Sequence, residues 1–418
     1  VKVEERGRAK YRPLKDYDSN EVRQLLLEKI KEEQETIQNI KDDFELPNLD
    51  YREDKINVIS LFSGCGGLDL GLELAGLAAA IGEKEALRAF KDKDWYNSVR
   101  EESIFHTIYT NDLFKEANES YKLNFPPVFQ QQLDIRKVKE FPKADFVLGG
   151  FPCPGFSEAG PRLIDDERNF LYIHFIRCLF HAKPFAFIAE NVKGMLTLGK
   201  GEVINQIVQD FASAGYNVKF KLVNARDYGV PQLRERVFIV GIRDDLDFEY
   251  DYPEPTHGKG KLPFVTLKDA IEDLEINPGD WFEGGFSPIY LSRNRKKKWI
   301  EQSFTIQASG RQAPLHPGGP EMIKLEKDKW NLPGDESLHR RLSVKEIARI
   351  QTFPDWFIFS DGRNTNVQKN NRLDKQYKQI GNAVPVMLAK AMAIPLAYWA
   401  KKNLKVIKKN SSSSLVLI

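Results

Sequence analysis

The 418-residue chain is poor in cysteine, with only Cys65, Cys153 and Cys178. Three are too few for a disulfide framework or a zinc cluster, so no metal centre is expected and a reducing compartment is. Long apolar runs are missing too: nothing approaches the roughly 20 residues of a membrane span, and no signal-peptide pattern opens the chain. No membrane association is therefore expected. Charge of one sign is also lacking, since 62 Lys and Arg meet 60 Asp and Glu, a formal net charge of +2. Any nucleic-acid contact must then come from local basic patches. The glycine-rich turn at Gly64, Gly66 and Gly67 is not a GxGxxG fingerprint and lacks the Lys-Ser/Thr of a phosphate loop.

What is present is enough apolar content, 41%, for a large core and two domains. Residues 1–54 are charged, and Asn20–Asp42 carries Val22, Leu25, Leu26, Ile30, Ile37 and Ile40 as a loose helical stripe. At Lys55 the character changes. An apolar strand, INVIS-LF, runs into SGCGGLDLGLELAG, a strand, a turn and a helix. Ala78–Thr107 reads as a charged surface insertion. Thr107–Thr110 is the next strand, ending at Asp112, which can hold a ribose diol or simply cap a helix. Gln131–Ile135 follows, with Asp134 at its end.

Asp145–Ser157, DFVLGGFPCPGFS, reads as a buried strand entering a sharp loop, where open α/β sheets place ligands. Cys153 there suits a nucleophile, although a small buried cysteine beside a turn has the same local pattern. A helix around Phe170–His181 and strands at Pro184–Ala189, Val218–Leu222 and Val237–Ile242 continue a βα alternation. The pattern is an α/β doubly wound, Rossmann-like sheet. From Asp244 to Arg340 the alternation stops, and basic clusters appear at Arg293–Lys298 and His339–Arg341. Val344–Phe353 and Val384–Trp399 read as helices, and the chain past Lys401 as a frayed tail.

LFSGCGGLDLG, YTND, Asp134-Ile135, GGFPCPGFS, AENV, DYGVPQLRERVFIVG, RRLSVKEIARIQTFP and QIGNAVP stand in one order over residues 55–400. In that order they resemble the C5-cytosine DNA methyltransferases of bacterial restriction–modification systems. The resemblance implies a helical extension over 1–54 and a catalytic S-adenosylmethionine-binding domain over 55–243. It further implies a target-recognition domain over 244–372, a returning segment over 373–404 and a flexible tail over 405–418. It implies a monomeric cytoplasmic enzyme acting on double-stranded DNA, paired with a restriction endonuclease. A tRNA-methylating relative and an inactive DNA-binding protein are the competing readings.

Cytosine C5 is a poor nucleophile, which explains the residues the resemblance assigns. Cys153 adds to C6, and Glu190 donates a proton at N3. Arg236 holds O2 and Arg234 a phosphate, with Ser157 beside it. Phe62, Gly64, Gly66 and Leu68 take the cofactor through the backbone, Asp112 the ribose, and Asp134 with Ile135 the adenine. Pro152 lines the pocket, and Asn382 and Val384 hold the methionine end. Gln232, Arg293, Arg295, Thr305, Gln307 and Arg311 are assigned to DNA, and Lys296–Lys298 to phosphates. The expected target is a short palindrome flanked by GG and CC. Two departures stand out: Pro154 replaces the family's Gln, and Asp112 its commoner Glu.

Overall fold

A computed structural model describes residues 18–38, 46–152, 171–197, 201–363 and 365–413. At its centre lie strands β1 (Ile56–Leu61), β2 (Phe105–Asn111), β3 (Phe129–Gln131), β4 (Phe146–Gly149), β5 (Ala186–Val192), β6 (Tyr216–Asn224) and β7 (Glu235–Arg243), in the order β3-β2-β1-β4-β5-β7-β6. All six residues of β1 and all four of β4 are buried, as expected of strands covered on both faces. The pairs through β5 are parallel. β7 is antiparallel to both β5 and β6, which departs from an unbroken βα alternation. The link 225–234 between β6 and β7 is too short for a parallel crossover of about a dozen residues or more, so the chain returns antiparallel.

Helices α1 (Ser19–Gln38), α6 (Leu171–Ala182) and α7 (Glu202–Ser213) cover one face. Val22, Leu26 and Ile30 of α1 are buried, so this part of the N-terminal extension is packed onto the catalytic body. α2 (Gly67–Ile81) and α11 (Val386–Ser413) cover the other face. They approach closely because Gly71 has no side chain: a Cβ there would lie 2.4 Å from the Ala389 Cβ and 2.7 Å from the Val386 carbonyl.

Four sequence expectations change. The stretch 78–107 is not a surface insertion. It finishes α2 and then forms α3 (Glu83–Lys91) and α4 (Lys93–Val99), with Tyr96 fully buried and stacked on Trp356 at 4.8 Å. Its charges coat one side of helices whose other side joins a core with α5 (Lys115–Asn124), α8 (Leu267–Ile271) and α9 (Val344–Ile350). β3 ends at Gln131, leaving Asp134 in the turn beyond it. α10 (Lys369–Asn382) is a helix that too few apolar residues announced. The tail expected from 405 is helical to Ser413, with Ile407 buried and Lys408 2.6 Å from the buried Asp145. The helical stretch Lys369–Lys409 is long and apolar enough to cross a membrane, yet two thirds of its most apolar window, 67%, is buried inside the protein.

Residues 244–343 hold little regular structure besides α8 and the hairpin β8 (Ile323–Glu326) with β9 (Lys329–Asn331). A small apolar cluster of Tyr290, Leu315 and Met322 centres this region.

Candidate active site

The sheet order reverses between β1 and β4, and the loops leaving their carboxyl ends part there. A cavity of about 850 Å³ opens at that point. Its floor is the turn after β1. Phe62 adopts φ 53°, a costly backbone for a bulky residue and of a kind that clusters at binding sites. Gly64, also at φ 53°, has nothing within 4 Å of where a Cβ would be, so its backbone is open to a ligand. Gly66 does not line the cavity. A Cβ there would strike the Phe125 ring at 2.4 Å, so the missing side chain of this glycine serves packing.

Asp112 closes one side. Its two carboxylate oxygens accept from the Gly64 amide at 2.8 Å and the Phe114 amide at 2.7 Å. These bonds fix the carboxylate and leave lone pairs for hydroxyl donors. Burial raises its pKa against both amide bonds and the Lys378 ammonium. Asp134 also lines the cavity but is chelated by Arg136, with Nε at 3.0 Å from one oxygen, which holds its carboxyl below the usual range. Leu68, Ile135, Pro152, Asn382 and Val384 all border the same space. The structure thus gathers every expected cofactor residue except Gly66.

Deeper in stands Glu190, 8% exposed on β5. Its Oε1 meets Arg236 Nε at 2.9 Å. Burial raises the Glu190 pKa, and the Arg236 and Arg234 charges oppose this without reversing it. The paired glycines before Cys153 now have a reason. A Cβ at Gly149 would lie 2.3 Å from the Leu61 carbonyl, and one at Gly150 would lie 2.9 Å from Glu190 Oε2. Only glycine lets this loop pass between β1 and the carboxylate. Asn191, which sequence reasoning passed over, donates from Nδ2 to the Phe151 carbonyl at 3.1 Å and ties the same loop to β5. Cys153, Pro154 and Ser157 lie outside the described residues.

Several nucleic-acid assignments are corrected. Arg234 is 1% exposed, and its terminal nitrogens donate to the carbonyls of Ile306, Gly381 and Ala383 at 3.1, 2.8 and 3.0 Å. Although Arg234 borders the cavity, its terminal nitrogens are spent on these carbonyls and not on a phosphate. Gln232, fully buried, donates to Gln351 and accepts from the Ile306 amide. Arg295 is buried against the Tyr290 carbonyl and Gln312. Lys296 is buried on the carbonyls of Gly318 and Pro320, and desolvation pushes its pKa down to about 8. Lys297 is half-buried on Glu301, whereas Lys298, beside Glu321, stays exposed and keeps its phosphate assignment. Thr305 gives its hydroxyl to the Leu233 carbonyl at 2.6 Å. The pattern of basic and amide residues could not distinguish chains that hold the loops together from chains that reach outward. Arg293 and Arg311 are exposed and Gln307 is half-buried, so these three keep their assignment.

A model of the family described as C-5 cytosine-specific DNA methylase matches residues 56–396. The chain belongs to this family. Among curated relatives, this methylase is 68% identical to Type II methyltransferase M.BsuRI of Bacillus subtilis, over 96% of this chain and 93% of that one. It is 62% identical to M.BspRI of Lysinibacillus sphaericus, covering 97% and 96%. Among solved structures, the methylase overlays Spodoptera frugiperda DNMT2 with TM-score 0.54 at 18% identity, covering 84% and 99%, a likeness of fold. The expectation of a DNA (cytosine-5-)-methyltransferase is met, and with it the Rossmann-like α/β class.

Proposed function

We propose that this methylase flips a cytosine out of a short specific DNA site and methylates its C5, with S-adenosylmethionine as donor, within a Type II restriction–modification system. The observation that carries the chemistry is Glu190. It is buried beside Arg236 at the inner end of the cavity, against the loop that leads to Cys153.

The cavity residues fit the cofactor. Gly64 leaves its backbone clear, and Asp112 is preset for two hydroxyls. Asp134 with Ile135 borders a place for the adenine, and Asn382 and Val384 for the amino-acid end. When bound, S-adenosylmethionine supplies a methyl group on a sulfonium centre. The protein's own residues prepare the acceptor. The Cys153 thiolate forms a bond to C6, and the electron pair displaced toward N3 is met by the proton on Glu190. Arg236 offers its guanidinium to O2 and keeps the Glu190 carboxyl oriented. Once C5 has taken the methyl group, leaving S-adenosylhomocysteine, the N3 proton returns to Glu190 and loss of the C5 proton expels the thiolate, which restores the ring. The base must leave the duplex to reach so deep a site.

The relatives' designation as Type II methyltransferases supports a partner endonuclease from whose cutting the methyl mark protects DNA, and a bacterial cytoplasmic setting. For the target, exposed Arg293 and Arg311 with Gln307 support reading of guanine edges in a site flanked by GG and CC. Incubation with S-adenosylmethionine and duplex carrying 5-fluorocytosine at the target tests the chemistry. A denaturation-resistant complex that Cys153→Ser does not form is expected, and its absence from the parent protein would refute the mechanism. Bisulfite sequencing of DNA from expressing cells reads the target. Methylation at sites without GG on either strand would reject that assignment alone.

A further inference from the structure

We infer that Arg234 and Gly381 are positioning residues that fasten the base-reading stretch to the cofactor loop, so that the cofactor and the specific duplex bind cooperatively. The inference rests on the cofactor reading above. One guanidinium, Arg234, donates to the carbonyls of Ile306 in the reading stretch, of Gly381 in the last turn of α10 and of Ala383 just past it, where the chain turns toward α11. Ile306 is adjacent to Gln307, a remaining candidate for base reading. Gly381 and Ala383 flank Asn382, and Val384 follows, at the cavity rim.

A second, independent contact runs between the same two segments. A Cβ on Gly381 would lie 2.3 Å from the Gln307 carbonyl oxygen and 2.6 Å from the Ala308 nitrogen. The reading stretch therefore rests directly on the backbone of the last turn of α10, which leads into the cofactor loop and where no side chain fits. Gln351 and Gln232 complete the joint. Gln351 Nε2 donates to the Ile380 carbonyl at 2.6 Å and the Ala383 carbonyl at 3.0 Å, and its Oε1 accepts from Gln232 at 2.8 Å. Gln232 in turn accepts from the Ile306 amide at 2.9 Å. All these side chains are buried.

A buried polar network of this kind, in which only the Arg234 Nε lacks a partner among the described residues, tolerates few arrangements, because every displaced carbonyl or amide loses a partner it cannot replace with water. A loop set by bound cofactor then sets the reading stretch as well. By reciprocity, a stretch docked on its site sets the loop for the cofactor.

The test is the affinity for S-adenosylhomocysteine, measured by calorimetry on the full chain with and without a short duplex carrying the mapped site. The parent protein should bind at least about fivefold more tightly with the duplex, within the usual range of coupling between sites. In Gly381→Ala and in Arg234→Lys, which cannot span three carbonyls, the ratio should fall toward one. A duplex lacking the site should give little coupling in any form. Circular dichroism and melting verify folding, and should Gly381→Ala not fold, Arg234→Lys carries the comparison. Lower melting temperatures with an unchanged ratio would mean the joint is only structural, and would overturn the inference. No coupling in the parent would also overturn it. No binding in the parent under either condition would overturn the cofactor reading itself.

Discussion

Residues with the same chemistry divide by their partners at this site. Glu190 and Asp112 both carry raised pKa values, through burial, but only Glu190 pairs with a guanidinium, Arg236. If Glu190 is the proton donor, the reactive form is the acid. That form is lost as pH rises through its raised pKa, so kcat should decline on the alkaline side. Glu190→Gln should slow methyl transfer at least some tens-fold, the equivalent of about 2–5 kcal/mol for a buried charged contact. It should also flatten this limb in single-turnover measurements. An unchanged rate with weaker cofactor binding would show the role misassigned. Cys153→Ser should end turnover while keeping cofactor and DNA affinity. The thiols of Cys65 and Cys178 are buried, which pushes their pKa values far above the physiological range. Cys178→Ala should therefore keep turnover and cost about 1 kcal/mol of stability for the small void it leaves, readable in urea unfolding.

At the scale of elements, close approach recurs. Gly71 lets α11 lie on α2 as Gly149 lets β4 lie beside β1. At Gly71 the intruding Cβ would meet the backbone of Lys390 and Val386, each at 2.7 Å, which cannot swing aside as a side-chain tip can. Gly71→Ala should thus cost about 1–3 kcal/mol despite its better helix propensity. A rise in melting temperature would contradict this packing. β1, α2, β5 and α11 were legible in the sequence because short apolar runs or periodic apolar faces mark them. α10 was not, since its run of Lys, Gln and Asn hides the few buried positions, Leu373, Tyr377 and Ile380. The antiparallel β7 was equally hidden, because a strand's direction depends on the length of its connection and leaves no mark in the strand itself.

Across the whole molecule, buried neutral histidines make folding acid-sensitive. His174 is 1% exposed, neither ring nitrogen has a partner among the described residues, and burial pushes its pKa down to about 3. The unfolded chain takes a proton there near pH 6.5, so this contribution to stability is lost as pH falls from about 6.5 toward 3. His174→Leu should remove that part of the acid sensitivity. The difference in unfolding free energy between variant and parent should widen in the variant's favour between pH 7 and about pH 4. A difference independent of pH would show that the ring finds a partner after all.

The family, the α/β class and the residues expected to do chemistry follow from the sequence alone. Short motifs in a set order carry the catalytic residue types, and cytosine chemistry explains why a thiol, a carboxylic acid and a guanidinium are needed together. The use of each polar side chain was settled only by tertiary structure. Arg234 and Arg236 stand two positions apart with the same side chain, yet one holds three backbone carbonyls and the other faces Glu190. The physical reason is burial: a guanidinium enclosed by loops must satisfy the carbonyls around it, and which carbonyls those are depends on segments distant in the chain.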